Sequence, residues 1–248
     1  MEAWELVLAL VGSFVAGYLG SMLGLVLGTL RLPLIVLVTG SPLSAAGTNV
    51  AISAASAAAG AAEHLREGRV DWRVVGWTAP PSVAGAVAGA FLAGDVSEAL
   101  LYAVIAAILL WSGVDIALRP IAARAREQLR LGRGAFFALL VGVLGGAAGV
   151  ILGTLRMPAL VRSVGLDVRR AAGTNLVVGF LLGVAAFSTH ALASNVDWAV
   201  LAAGLVGAIP GGWLGARASG RVPENALRIA LGVVLVAVGI AFAVQALL

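Results

Sequence analysis

The chain is a succession of long apolar stretches that short polar turns separate. The stretches fall into two sets of four, at roughly 4–40, 43–64, 72–93 and 97–118, and then at 134–164, 168–191, 197–216 and 224–247. A helix of about 20 apolar residues spans the hydrocarbon core of a bilayer. The ten-residue alternating segments of a membrane barrel are absent from the sequence. The pattern therefore predicts an all-α polytopic membrane protein.

Two of these stretches are too long for a single straight crossing. A helix over residues 4–40 would be about 55 Å long, whereas the hydrocarbon core is roughly 30 Å thick. Several glycines and one proline interrupt this stretch, and the same residue types recur in the stretch 134–164. We expect each to be a broken or re-entrant helical hairpin, followed by three transmembrane helices.

The two halves of the chain carry the same motifs. Residues 27–33 read Leu-Gly-Thr-Leu-Arg-Leu-Pro, and residues 152–158 read Leu-Gly-Thr-Leu-Arg-Met-Pro. The sequence Ala-Ala-Gly-Thr-Asn occurs at 45–49 and again at 171–175. The chain is therefore two copies of one unit.

The arginines predict how the two copies are oriented. If the long stretches crossed once, eight spans would divide the arginines equally between the two sides. If they are hairpins, each unit makes an odd number of net crossings, and the second unit is inverted. All the arginines except Arg31 and Arg156 then fall on one side, which the positive-inside rule assigns to the cytoplasm.

This topology divides the chain into three parts. Residues 1–118 form the first membrane repeat, residues 119–133 form a basic cytoplasmic linker, and residues 134–248 form the second membrane repeat. Both termini are then expected outside the cell (inner) membrane.

Composition excludes several classes of function. The chain is 61% hydrophobic and 11% charged, against about a quarter charged in soluble domains. Its net charge of +4 comes from arginines between apolar spans, so nucleic acid is not an expected partner. The chain has no Cys, two His and no Lys, so we expect no metal, no cofactor, no P-loop and no enzymatic activity. The expected partners are the lipid bilayer and a small solute, and a homo-oligomer is left open.

Two arginines are the strongest candidates for chemistry. Arg31 and Arg156 occupy the same place in the repeated motif, within otherwise apolar sequence. Cations at membrane depth are costly and usually mark a function, and a guanidinium matches the geometry of an oxyanion. We expect both to face one small anion across a pseudo-two-fold axis. The alternatives are that each snorkels to an interface or caps the carbonyls of the broken helix.

The neutral residues of the same motifs complete the predicted site. Pro33 and Pro158 suit the first turn of a half-helix, whose N-terminus would point at the anion. Gly28 and Gly153 would let backbone N–H groups approach it. The expected side-chain donors are Thr29, Thr154, Thr48, Asn49, Thr174 and Asn175. Helix capping is the alternative role of the last four.

The glycine-rich stretches that lead to a proline in each half resemble those of the TauE/SafE family of membrane permeases. The best anchors are residues 24–33 and 149–158, and the resemblance covers essentially the whole chain. It implies that the cargo is a small sulfur-containing anion, such as sulfite or an organosulfonate.

The leading hypothesis is a secondary transporter of this anion. It would work by alternating access around a midplane site between the inverted repeats, and export is electrically downhill for an anion. An anion channel, or a permease for another small oxyanion or a carboxylate, is the alternative. An intramembrane enzyme lacks the residue clusters that catalysis needs.

Overall fold

The computed structural model describes residues 3–95, 97–118, 131–218 and 224–247. The first unit consists of α1 (Ala3–Met22), α2 (Gly28–Thr39), α3 (Pro42–Arg66), α4 (Trp72–Ala93) and α5 (Glu98–Leu118). The second consists of α6 (Leu131–Ala148), α7 (Gly153–Pro158), α8 (Val168–Leu192), α9 (Trp198–Ala218) and α10 (Glu224–Gln245). A π-helical segment, Ala159–Val164, continues α7.

The architecture confirms the prediction of a helical membrane protein. Within the described ranges, five helices are long and apolar enough to cross a bilayer, namely α1, α4, α6, α8 and α9. Helix α3 is as long as α8, at 25 residues, but it is rich in Ala, Ser and Gly. Most of its residues are buried, so α3 lies inside the bundle, where small side chains let neighbouring helices approach.

Both long apolar stretches break, as their length requires. Gly24 and Gly149 adopt φ angles of +66° and +65°, a left-handed conformation that glycine tolerates best. The chain then re-enters a helix at Gly28 and at Gly153. The 12 residues of α2 rise about 18 Å, so α2 is a half-helix. We call residues 23–27 and 148–152 the first and second tips.

The prolines do not begin these half-helices, so that prediction is wrong. Pro33 is the sixth residue of α2, and Pro158 is the last residue of α7, where the π-helical segment begins. The positive-φ glycine of each tip determines where the helix ends and restarts. Proline inside α2 instead removes the N–H that would bond to the carbonyl of Thr29.

The predicted linker overlaps the second unit. Helix α6 begins at Leu131, so the last three linker residues, 131–133, form its first turn. The rest of the basic linker, residues 119–130, lies outside the described residues.

Two helix pairs join the units through close backbone contacts. Glycines of α4 and α9 face carbonyl groups of α6 and α1, and the four contacts pair Gly85 with Leu139, Gly89 with Val143, Gly211 with Phe14 and Gly215 with Tyr18. Residue numbers rise together along each pair, so α4 runs parallel to α6 and α9 runs parallel to α1. Helices α4 and α9 are counterparts in the two units, and so are α1 and α6. The α4–α6 pair and the α9–α1 pair are therefore equivalent.

The central helices pair with their own counterparts. Gly60 of α3 faces Leu176 of α8, whereas Gly183 of α8 faces Ala54 of α3. The residue numbers run in opposite directions, so α3 and α8 are antiparallel.

The outer helices α5 and α10 are paired in the same way. Gly113 faces Val236, and Gly239 faces Leu110. These helices are also counterparts in the two units and also antiparallel.

The close glycine contacts predict a strong effect of one added methyl group. A Cβ atom at Gly85 would lie 2.9 Å from the Val143 nitrogen and would overlap the Leu139 carbonyl, whereas the space around Gly76 on the same helix is open to 4 Å. We expect Gly85→Ala to lower the free energy of unfolding by about 1–3 kcal/mol, as overpacking does. Gly76→Ala is the control and should be neutral or slightly stabilising, because alanine favours a helix. Denaturant unfolding in detergent measures both, and equal stability of the two variants would contradict the packing.

Candidate functional site

Arg31 is held by three hydrogen bonds in the middle of the bundle. It lies in the first turn of α2 and its relative exposure is 1%. Its Nε donates to Asn49 Oδ1 at 2.9 Å. Its Nη2 donates to the Asn49 carbonyl at 3.0 Å and to Ser53 Oγ at 2.6 Å. Two successive turns of α3 therefore fix the orientation of this guanidinium.

Arg156 repeats most of this arrangement in the second unit. It lies in α7 and its relative exposure is 2%. Its Nε donates to Asn175 Oδ1 at 2.7 Å, and its Nη2 donates to the Asn175 carbonyl at 3.0 Å. Its Nη1 is buried and has no hydrogen-bond partner.

The asparagines link each arginine to the tip of the other unit. Asn49 Nδ2 donates to the Gly149 carbonyl at 2.8 Å, and Asn175 Nδ2 donates to the Gly24 carbonyl at 2.9 Å. Each side-chain amide thus accepts from an arginine and donates to a glycine of the opposite tip. Each arginine cluster is therefore built from both units.

Neither arginine has an acidic partner among the described residues. Ion pairs in these ranges include those of Glu63, Glu67 and Asp167 with arginines near helix ends. All the acceptors of Arg31 and Arg156 named above are neutral oxygens. Withdrawing an unpaired charge from water costs several kcal/mol even after relaxation. A bound anion would supply the missing counter-charge.

The arginines lie level with the middle of helices α3 and α8 rather than near their ends. Ser53, which contacts Arg31, is the twelfth of the 25 residues of α3. Gly179, whose Cα lies beside Arg156, is the twelfth of the 25 residues of α8. Snorkelling to an interface, one alternative for these arginines, does not describe these positions.

The predicted glycines lie where the chain must approach a neighbour closely. Gly28 lies against Ser53, and a Cβ there would be 3.4 Å from Asn49 Nδ2. At Gly153 a Cβ would be 2.7 Å from the nitrogen of Val26 in the first tip. A side chain at either position would displace a residue that holds an arginine or a tip.

The threonines of the motif have different surroundings. Thr29 Oγ1 is buried without a hydrogen-bond partner. Thr48 Oγ1 accepts from the Asp197 N–H at 2.9 Å, and Thr174 Oγ1 accepts from the Asp71 N–H at 2.9 Å. These last two hydroxyls therefore fasten a loop of the opposite unit. The side chains of Thr154 and Pro158 lie outside the described residues.

Sequence reasoning missed Ser53 and a second repeat-related pair. Ser53 lies one helical turn after Asn49, and that spacing could have identified it as a partner of the same side chain. His64 and His190 are offset by the same interval as the asparagines, and their relative exposures are 1% and 0%. His190 Nε2 lies 3.0 Å from the Gly146 carbonyl, whereas neither ring nitrogen of His64 has a partner.

Three curated relatives share about a quarter of their residues with this chain. The "Probable membrane transporter protein YdhB" of Bacillus subtilis (strain 168) is 27% identical over 195 residues, which are 76% of this chain and 79% of the relative. A "Probable membrane transporter protein" of Xylella fastidiosa (strain 9a5c) is 28% identical over 236 residues, 90% of each chain. The "Probable membrane transporter protein ORF9" of Sinorhizobium sp is 29% identical over 244 residues, 96% of this chain and 90% of the relative.

No solved structure matches the chain significantly. A family model described as "Sulfite exporter TauE/SafE" matches residues 8–242, almost the whole sequence. The chain therefore belongs to the TauE/SafE family.

Proposed function

We propose that this protein is a secondary transporter that exports a small sulfur-containing anion, such as sulfite or a sulfonate, across the cell (inner) membrane. The observation that carries the proposal is the pair of buried guanidiniums, level with the middle of α3 and α8, without an acidic partner in the described ranges. The family description and the names of the relatives support a transporter. With a negative cell interior, anion export is favourable by about 2.3 kcal/mol per charge per 100 mV.

We propose an inverted relation between the two units as the basis of alternating access. The antiparallel pairing of α3 with α8 and of α5 with α10 supports it. Counterpart helices that run in opposite directions are related by a two-fold axis perpendicular to the helices, hence in the membrane plane. Movement of one tip relative to the opposite unit would then open the site to one side at a time.

The burial of the arginines favours a carrier over a channel. A pore keeps its selectivity residues in contact with permeating ions and water, whereas the relative exposures of Arg31 and Arg156 are 1% and 2%. An anion could reach them only after a conformational change. A channel for a small anion is the second candidate, and saturable exchange of labelled anion across vesicles would distinguish the two.

Removal of either buried arginine should impair transport. In proteoliposomes loaded with sulfite, we expect Arg31→Ala and Arg156→Ala to reduce the transport rate by roughly tenfold or more, because truncation disrupts a buried, hydrogen-bonded charge. Arg170→Ala is the matched control, since Arg170 is exposed at the start of α8. Wild-type rates in both variants at matched protein levels would refute the proposed site.

A bound anion should stabilise the purified protein. We expect sulfite or a sulfonate to raise the apparent melting temperature, because a ligand that binds the folded state stabilises it by about 2.7 kcal/mol at a concentration of 100 Kd. Taurine, thiosulfate, sulfate and carboxylates complete the panel. Stabilisation by carboxylates alone would exclude the sulfur-containing cargo while retaining an anion site.

The proposed topology places both termini outside and the linker 119–133 in the cytoplasm. The physical reason is the concentration of arginines on one side of the inverted arrangement. An alkaline phosphatase fused after Leu248 should be active, and a fluorescent protein inserted in the linker should fluoresce. A cytoplasmic C-terminus would contradict the inverted arrangement.

A further inference from the structure

The two arginine clusters differ at one equivalent position. Ser53 follows Asn49 by four residues in α3, and Gly179 follows Asn175 by four residues in α8. Ser53 Oγ accepts a hydrogen bond from Arg31. Glycine offers no side-chain acceptor, so the second cluster lacks this bond.

The missing hydroxyl leaves one N–H of Arg156 Nη2 without the acceptor that Ser53 provides for Nη2 of Arg31. Arg156 Nη1 is also buried without a partner. A buried donor that bonds to nothing costs about 1–3 kcal/mol, and more when it is charged. A ligand that accepts from Nη1 would recover this free energy.

The surroundings of Gly179 show which atoms such a ligand would contact. A Cβ at this position would lie 3.1 Å from Arg156 Nη2 and 3.2 Å from the Cγ2 atoms of Ile151 and Val26. Val26 belongs to the first tip and Ile151 to the second. At Gly179, the surface of α8 therefore contacts the Arg156 guanidinium and both tips directly.

We propose that the anion site is asymmetric. Arg156 donates to the anion through Nη1 and through the second N–H of Nη2, which lies beside Gly179, whereas Arg31 is a positioning residue that Asn49 and Ser53 hold in place. This inference rests on the proposed anion transport, and it assigns the two repeat-related arginines to different tasks.

The asymmetric site also restricts the class of anion. Asn175 accepts from Nε and from one N–H of Nη2 of Arg156, so Nη1 and the second N–H of Nη2 are the donors left for a ligand, and the neighbouring walls at Val26 and Ile151 are apolar. The desolvation cost of an ion rises steeply with its charge. A small monoanion, such as hydrogensulfite or a short alkanesulfonate, therefore suits this site better than sulfate.

Exchanging the two equivalent residues tests the asymmetry. Gly179→Ser recreates the first cluster around Arg156, and we expect it to weaken binding of methanesulfonate or sulfite by about tenfold or more. Gly179→Ala adds the Cβ without the hydroxyl, so it should weaken binding less than the serine does. Ser53→Gly removes the hydroxyl from Arg31 and should leave the affinity within about threefold of the wild-type value. Titration calorimetry on purified protein measures the affinities.

Conservative replacements of the arginines separate ligand binding from positioning. Arg156→Lys should lower anion affinity by about tenfold or more, since it removes the donor that the anion uses. Arg31→Lys should lower the melting temperature of the anion-free protein, and it should lower the anion affinity less than Arg156→Lys does.

Three results would overturn the asymmetric site. These are equal losses of affinity in the two lysine variants, wild-type affinity in a folded Gly179→Ser protein, and stronger binding of sulfate than of methanesulfonate. If the wild-type protein binds none of these anions, the proposed transport function fails as well.

Discussion

Two guanidiniums buried near the middle of the helix bundle are the constraint on which the rest of this structure depends. A charge in that position must be hydrogen-bonded, and the asparagine of each unit provides the bonds through its side-chain oxygen and its backbone carbonyl. The same amide also donates to the glycine at the tip of the other unit. Asn49 and Asn175 thus connect the charge, the hairpin and the interface between the units. Their arrangement explains why arginine and asparagine recur together in both halves.

Close approach of backbones makes this network feasible. Gly24 and Gly149 turn the chain at the tips with positive φ angles and lie directly against α8 and α3 of the opposite unit. Glycines along α4 and α9 meet backbone carbonyls of the other unit in the same way. In a bilayer, where lipid is as apolar as the helices, such packing and the interhelical hydrogen bonds supply the association energy. Few hydrogen bonds join an asparagine to a tip, so a displacement of a tip would break few of them.

The sequence predicted the class of fold and the buried arginines better than it predicted their partners. Apolar length required a break in each long stretch, and the repeat identified Arg31 and Arg156. The prediction that the half-helices begin at the prolines was wrong, because the chain turns at a left-handed glycine and the helix restarts at Gly28, five residues before Pro33. Thr48 bonds to a loop distant in sequence, which a local motif cannot reveal. Ser53 escaped notice because its counterpart is a glycine, and comparison of the repeats identified shared residues only.

The location of the bound anion tests the central claim most directly. Selenite is a close analogue of sulfite, and its selenium gives an anomalous diffraction signal that distinguishes it from water. In crystals grown with selenite, we predict an anomalous peak within hydrogen-bond distance of the Arg156 guanidinium, beside Gly179 and between the two tips. The crystals should be grown at selenite concentrations that saturate binding in solution. Anomalous peaks confined to exposed arginines, with Arg156 bonded only to Asn175, would contradict the account.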